Sequence, residues 1–520
     1  MDDKCRLELM KKRIINLAKK YHTWPALIIS VFLILTVISG IVMNHRNFFS
    51  KYDLNRKFLP ESYQLNNWNM GSVRSSINLN DGSRLIFGNI GIWKTDSLYS
   101  VFTDFNNGLP AGMDMRKVRV VKQTHKGNLL AGTYFGLYQY SVPNKTWKKV
   151  TMPLYNERIQ DIVCLQNKVI VLTRSEILLF EDKHDLNNPL VIDLKAPVGY
   201  DKKVTLFRFI WITHSGEIAG MAGKLILDFL GLLIIFLIST GLIHFFVPKF
   251  LRKVKAQSGH LKNFRRKNLR LHNKSGAWFL VFLIVVPLTG MFLRPPFLIT
   301  IANSKIPVMP IKSLGKDNPW EDKLRSVVWS GELNQFIFST SDGFYLSDST
   351  FSGAPVKFEY EPPVSVMGIN VFEYSGNGSY YVGSFDGLFL WNTLTGEVNN
   401  MLNLKRPVSN TSSSGRPSEN LISGMIRDGE HIVLFDYDRG VFSKDGEGFP
   451  GMPEIIIDKS PMPLWNVAQE IHTGRIYQSI IGPFYILIVP LVGLLTILVF
   501  ITGYIRWRKI FRNIPNNSVK

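Results

Sequence analysis

Two stretches of this chain, 250 residues apart, each open on a histidine, run on through apolar sequence and reach a glycine eighteen residues later. The first is "YHTWPALIISVFLILTVISGIVMNH", with His22 and Gly40. The second is "LHNKSGAWFLVFLIVVPLTGMFLRP", with His272 and Gly290. About 20 residues at ~1.5 Å each match the ~30 Å of hydrocarbon in a bilayer. Four spans are predicted, at Trp24–Met43, Leu225–Val247, Gly276–Leu293 and Pro483–Ile505. No single water-soluble core absorbs runs of this length, so any fold must be organised around a membrane.

The net charge of +21 is concentrated beside these runs. Ten Lys and Arg and no acid lie between Lys249 and Lys274, seven more lie in the first 21 residues, and the tail reads "YIRWRKIFRNIPNNSVK". Basic segments flanking apolar ones mark the cytoplasmic side. The reading is therefore a multi-pass membrane protein with both termini cytoplasmic and two large segments on the outer side. No basic-aromatic reading surface accompanies the charge, which argues against nucleic acid. The first apolar run is too long for a cleaved signal, and "ISGIVMNHRNFF" is a poor cleavage site. The cytoplasmic pieces are too short to hold a flavin or nucleotide domain. Cys5 and Cys164 fall on opposite sides of the membrane in this topology, and the absence of C-x-x-C-H excludes covalent haem attachment.

The repeat extends to the other two spans. "WITHSGEIAGM" precedes the second and "EIHTGRIYQ" the fourth, giving His214 to Gly216 and His472 to Gly474, and these spans end in Thr240-Gly241 and Thr502-Gly503. A doubled two-span half implies a pseudo-two-fold axis along the membrane normal. The predicted organisation is residues 1–45 (amino terminus and first span), 46–222 (outer segment), 223–294 (second span, basic loop, third span), 295–480 (outer segment) and 481–520 (last span and basic tail). Both outer segments read as β. Gly91 and Gly136 are 45 apart, Gly343 and Gly387 are 44 apart and Gly440 follows 53 later, each ahead of an aromatic or branched run, with "LTRSEILLFED" in a similar place. A period of ~40–45 residues with several short strands is the pattern of propeller blades. The expected fold class is thus an α+β membrane protein, a four-helix transmembrane bundle carrying a β-propeller-like domain of two half-propellers. Two separate β domains are the alternative.

A histidine at the mouth of a span is often an interfacial anchor. Two pairs in register across a duplication point instead to a shared ligand. Neutral imidazole ligates metals, and a helix bundle holds a flat macrocycle between axial histidines from facing helices. His22 and His272 would meet near the cytoplasmic side and His214 and His472 near the outer side, holding two b-type haems. His45 and His244 lie at suitable depths but lack repeat partners and rank second. His125, His184, His260 and His431 lie outside the spans. A bis-His zinc site lacks the further ligands zinc needs. Asp228, the main acid in a span, reads as hydrated. Arg294, Arg506 and Arg508 read as snorkelling anchors with haem propionates as alternative partners, and Trp24, Trp278 and Trp507 as interfacial aromatics.

These signatures ("RLHNKSGAWF…PLTG", "KYHTWPALII…VISG", and His-x-Gly before a span ending "TGYIRWRK") resemble the PepSY-associated transmembrane family. That family includes inner-membrane haem proteins that reduce ferric siderophores in the periplasm. The resemblance implies a reductase acting on a ferric siderophore or other ferric chelate in iron acquisition. With no donor domain in the chain, electrons would come from quinol or a separate reductase, and a periplasmic protein is a further expected partner. The outer segments depart from the small α/β domains usual in the family, which leaves substrate recognition unassigned. The rival reading is a non-enzymatic ligand-binding or sensory membrane protein. A transporter is disfavoured because the spans offer few polar interruptions.

Overall fold

The computed structural model describes residues 3–154, 157–253, 259–315, 317–365, 367–402, 420–443 and 448–508. The basic tail beyond 508 and part of the basic loop, 254–258, lie outside the described residues. The fold is α+β, in two compact units that are each discontinuous in sequence. One comprises Met1–Phe49, Lys203–Pro307 and Trp465–Lys520, and the other Ser50–Lys202 and Val308–Leu464. The residues just ahead of the second and fourth spans thus belong with the helices.

The helical unit contains α1 (Asp3–Asn44), α2 (Leu206–His214), α3 (Gly220–Lys253), α4 (Gly259–Trp278), α5 (Leu280–Phe292), α6 (Leu464–His472) and α7 (Ile488–Arg506). Among the described residues three helical stretches are long and apolar enough to cross a membrane, Lys12–Asn44, Glu217–Phe250 and Arg475–Arg506. The predicted third span falls on the junction of α4 and α5, which meet at 66° and bring the number to four if taken as one broken span. Through the bend Phe279 N–H reaches the Ser275 carbonyl (3.2 Å) and Leu283 N–H the Phe279 carbonyl (2.9 Å), so these backbone groups are not orphaned. Leu230, Leu233, Ile234 and Leu237 of α3 and Leu283 of α5 form a buried core, packed against Leu33 and Val37 of α1 and Phe500 of α7. Ile28, Val31, Leu232 and Val281 remain exposed, as a lipid-facing surface requires. The short helices α2 and α6 end alike. His214 and His472 are their last residues, and Gly216 and Gly474 follow with φ of +76°, a left-handed stop that glycine adopts without Cβ strain.

Among the described residues the other unit holds six antiparallel sheets of three or four strands, at 75–104, 118–149, 159–192, 324–357, 369–400 and 422–443, and a two-stranded pairing of Asp53–Leu54 with Met462–Pro463. Their leading strands are β1 (Ser75–Asn78), β2 (Val118–Gln123), β3 (Ile159–Leu165), β4 (Leu324–Ser330), β5 (Ile369–Gly376) and β6 (Ile422–Asp428). Each sheet is a meander of consecutive strands. The period-2 alternation of the inner strands sends neighbouring side chains into different cores. Leu85 and Phe87 pack toward the second sheet while Ile86 packs toward the sixth. Val169 and Val171 meet the second sheet, and Ile170 and Leu172 the fourth. Ile432 and Leu434 meet the fifth, and Val433 and Phe435 the first. Every sheet is therefore sandwiched between two others, the sixth on the first, and the leading strands lie side by side in the same cyclic order.

Local chemistry fixes the hairpins. Thr133 Oγ donates to the Gly136 carbonyl (3.0 Å) and accepts from Phe135 N–H (3.1 Å). Thr340 repeats this with the Gly343 carbonyl (2.8 Å) and Asp342 N–H (3.0 Å). The glycines singled out by their spacing open the third strand of their sheets, where Gly91 and Gly440, at φ of +84° and +86°, need the left-handed region. Trp93 and Trp391 are buried, with indole N–H groups bonded to the carbonyls of Ile90 (3.0 Å) and Tyr360 (3.1 Å).

Candidate functional site

The helical unit brings His22 of α1 against His272 of α4, with ring centroids 6.1 Å apart and planes at 76°. It brings His214 of α2 against His472 of α6, with centroids 6.0 Å apart and planes at 52°. These are the two pairings expected from the duplication.

Each ring is held in the same way by a different helix. His22 Nδ1 lies 2.9 Å from the Val499 carbonyl, and His472 Nδ1 lies 2.8 Å from the Thr36 carbonyl and 3.3 Å from Ser39 Oγ. His214 Nδ1 lies 3.1 Å from the Val286 carbonyl and 3.2 Å from Thr289 Oγ1. His272 Nδ1 lies 2.9 Å from Thr240 Oγ1, whose own proton goes to the carbonyls of Phe236 and Leu237 (2.7 and 3.0 Å). A carbonyl only accepts, so Nδ1 carries the proton in a neutral ring and Nε2 keeps its lone pair. Such a second bond from the distal ring nitrogen is how proteins orient a ligating imidazole. Among the described residues no hydrogen bond is formed by any of the four Nε2 atoms.

The glycines of the Ser/Thr-Gly pairs make room for these rings. A Cβ on Gly290 would stand 2.8 Å from His214 Cε1, on Gly503 2.9 Å from His22 Cε1, and on Gly40 3.1 Å from His472 Cε1. On Gly241 it would stand 3.5 Å from His272 Cε1, an ordinary contact. His22 therefore rests on the glycine of α7 and His472 on that of α1, so each histidine is seated by a helix other than its own.

The residues fit a metal bound between opposed imidazoles. Metal–nitrogen bonds of ~2.0–2.1 Å on opposite sides of one ion put the ring centroids ~6 Å apart. No group of three or more His, Cys, Asp or Glu is gathered among the described residues, so each imidazole pair lacks the protein ligands that would complete a tetrahedral ion. A macrocycle that brings its own four equatorial donors needs only the pair.

His45 and His244 are placed differently. His45 Nε2 bonds Asp228 Oδ2 at 2.5 Å, which gives a partner to the acid expected to be hydrated. His244 lies within α3 with Nδ1 buried and unpartnered among the described residues. Arg294 bonds the Thr473 carbonyl beside His472 (2.8 Å).

The family model of the PepSY-associated TM region matches residues 10–248 and again 201–509. The chain belongs to this family. In this PepSY-associated TM chain the first match contains His22 and His214 and the second contains His214, His272 and His472, the two overlapping over residues 201–248. No curated protein matches the chain. Among solved structures it is similar to the extracellular domain of the one-component system BT4673 from B. thetaiotaomicron (7% identity, TM-score 0.33, 78% of this chain and 44% of that one). It is also similar to PorZ of the Porphyromonas gingivalis type-IX secretion system (10% identity, TM-score 0.32, 71% and 38%). A third is Sqt1 of Saccharomyces cerevisiae (10% identity, TM-score 0.32, 74% and 86%). The chain spans less than half the length of the first two.

Proposed function

We propose that this PepSY-associated TM chain is a multi-pass inner-membrane electron-transfer protein that holds two b-type haems and reduces a ferric siderophore or other ferric chelate in the periplasm. The observation that carries this reading is the repetition of one arrangement four times, in two opposed pairs: imidazole Nδ1 bonded away, Nε2 unpartnered, and a glycine beneath the ring. His22 with His272 would hold one haem and His214 with His472 the other. Haem iron, when bound, supplies one-electron chemistry between Fe(III) and Fe(II).

The chain's own contribution is positional. The Nδ1 bonds fix the tautomer and ring angle, the glycines admit the rings, and the apolar core of α3 and α5 keeps water from the helices' interior. Reduction of the chelate consumes one electron per iron and weakens the metal's hold on hard oxygen ligands. The electron comes from quinol or a separate reductase. The four helical segments would form a four-helix bundle, and the cyclic packing of the six sheets supports a six-bladed propeller assembled from the two outer segments, three sheets each. Orientation with both termini cytoplasmic belongs to the same proposal.

The test is transport of reducing power in proteoliposomes carrying trapped dithionite, with ferric citrate and ferrozine outside. The reading predicts Fe(II) formation by the native chain and its loss in His214→Ala/His472→Ala. Equal rates in the two would overturn it and favour the rival reading, a ligand-binding or sensory membrane protein.

A further inference from the structure

The six-sheet unit carries a repeated irregularity that the histidine sites do not use. In five sheets the second residue of the leading strand is skipped in the pairing register. Val118 faces Thr133 and Val120 faces Gly132, leaving out Arg119. In the same way Gln160, Arg325, Asn370 and Ser423 are left out between Ile159 and Asp161, Leu324 and Ser326, Ile369 and Val371, and Ile422 and Gly424. In the first sheet the matching place is Arg74, just ahead of β1, whose N–H bonds the Phe87 carbonyl at 2.7 Å. A bulge turns one side chain away from both sheet faces. Here the flanking residues enter the cores on either side, Val118 toward the first sheet and Val120 toward the third, Ile369 toward the fourth and Val371 toward the sixth. The residue between them is left to the ring of leading strands. The five bulges and Arg74 all sit at the start of the leading strand, and hence at one end of that ring.

Arg74, Arg119, Gln160, Arg325, Asn370 and Ser423 thus form one polar belt. Arg74 donates to Asn370 Oδ1 (3.1 Å) and the Ile369 carbonyl (3.0 Å), which ties the first sheet to the fifth. Arg325, 7% exposed, donates to the carbonyls of Asp322 (2.8 Å) and Leu324 (2.9 Å). Asn370 donates to the Ile422 carbonyl (2.8 Å), Gln160 to the Ile159 carbonyl (3.4 Å), and Ser423 to the Phe435 carbonyl (2.9 Å). Arg119 Nε is buried with no hydrogen-bond partner among the described residues. The acids nearby hydrogen-bond to other groups, and the charge of Asp161 also favours the cationic forms of Arg74 and Arg119. Asp161 accepts from Ser326 Oγ and Val327 N–H, and Asp322 pairs with Arg174 at 2.6 Å.

We infer that this belt is a binding site for a small polyanion, whose carboxylate or phosphate oxygens are held by Arg119 with Arg74 and Arg325. Guanidinium groups are the natural partners of such oxygens, presenting paired N–H donors. A half-buried Arg119 whose buried Nε has no partner among the described residues, near other arginines, is costly without an anion and satisfied with one. Consistent with that, burial first, and then Arg74 and Arg174, hold Arg119 well below the ordinary guanidinium range. Gln160 and Asn370 each keep a second amide N–H as a neutral donor around the rim, while the Ser423 proton is committed to the Phe435 carbonyl. The site is independent of haem binding.

The test uses the full-length protein in detergent, with citrate and inorganic phosphate as separate probes at ionic strength held constant with chloride. Saturable binding of either by calorimetry, matched by a rise in Tm, is expected, and which probe binds distinguishes a polycarboxylate from a phosphate ligand. Arg119→Gln is expected to weaken that binding at least about tenfold. The same variant is expected to keep or raise the Tm measured without either probe, because it removes a charge repelled by Arg74 and Arg174. No saturable binding of either probe overturns the inference. So does an Arg119→Gln protein that binds as the native chain does, or whose anion-free Tm collapses.

Discussion

The helical unit and the sheet unit are both made of repeats, and they use repetition in opposite ways. Among the helices, four seats hold the same side chain, histidine, with Nδ1 bonded to a backbone carbonyl or, for His272, to the Thr240 hydroxyl, and a glycine beside the ring. Among the sheets the backbone device is what recurs, a bulge at the start of the leading strand. The residue on it changes from Arg to Gln, Asn or Ser. A symmetric ligand approached from both sides demands the same donor twice, whereas a bulge is held by its neighbours' apolar contacts and leaves its own side chain free to vary. The lesson is that a repeat fixes whichever atoms the neighbouring copy needs.

The largest effect that would break this comparison is on the helical side. His22→Ala is expected to remove about half of the haem bound by the native chain, and His22→Ala/His214→Ala nearly all, measured as pyridine haemochrome per protein. Retention of full haem by the double variant would undo the equivalence of the four seats. On the sheet side, Trp391→Ala is expected to destabilise the protein by ~3–5 kcal/mol, since it empties a fully buried position between the fourth and fifth sheets. Its haem content per folded chain should not change, and a change would show that the two units are not separable.

Glycine substitutions sharpen the comparison further. Gly290→Ala and Gly503→Ala, whose new Cβ atoms would stand 2.8 and 2.9 Å from imidazole carbons, should lower haem content clearly. Gly40→Ala at 3.1 Å should lower it less, and Gly241→Ala at 3.5 Å should be tolerated. The reverse order would mean the glycines serve helix packing and not the rings. A smaller effect is expected at a hairpin. Thr340→Val loses the hydroxyl bonds to Gly343 and Asp342 and should cost about 1 kcal/mol in thermal stability. The smallest is at Cys164, where burial pushes the thiol up to about 11. In a Cys5→Ser chain, maleimide labelling of Cys164 should be slow at neutral pH and rise as pH approaches that value, because only the thiolate reacts.

Much of this was legible in the sequence. The doubled His and Ser/Thr-Gly pattern singled out, in the same pairs, the four histidines whose rings the structure brings to 6.1 and 6.0 Å of each other. The spacing of Gly91, Gly136, Gly343, Gly387 and Gly440 located the third strands, because those turns need positive φ or close approach. What stayed hidden was long-range. Nothing in "VISG" says that its glycine seats His472 from the far end of the chain, nor that His45 answers Asp228 across 183 residues. The bend at Phe279 was masked by an apolar run that continues through it. The bulges were masked too, because Val118-Arg119-Val120 reads as ordinary strand alternation until the register is known.

The most direct test of the central claim is the visible spectrum of the purified full-length protein, oxidised and then reduced with dithionite. Opposed imidazole pairs predict a low-spin b-type spectrum, a Soret band that shifts and a sharp α band on reduction, at two haems per chain. A colourless protein that takes up no haem on titration would contradict it.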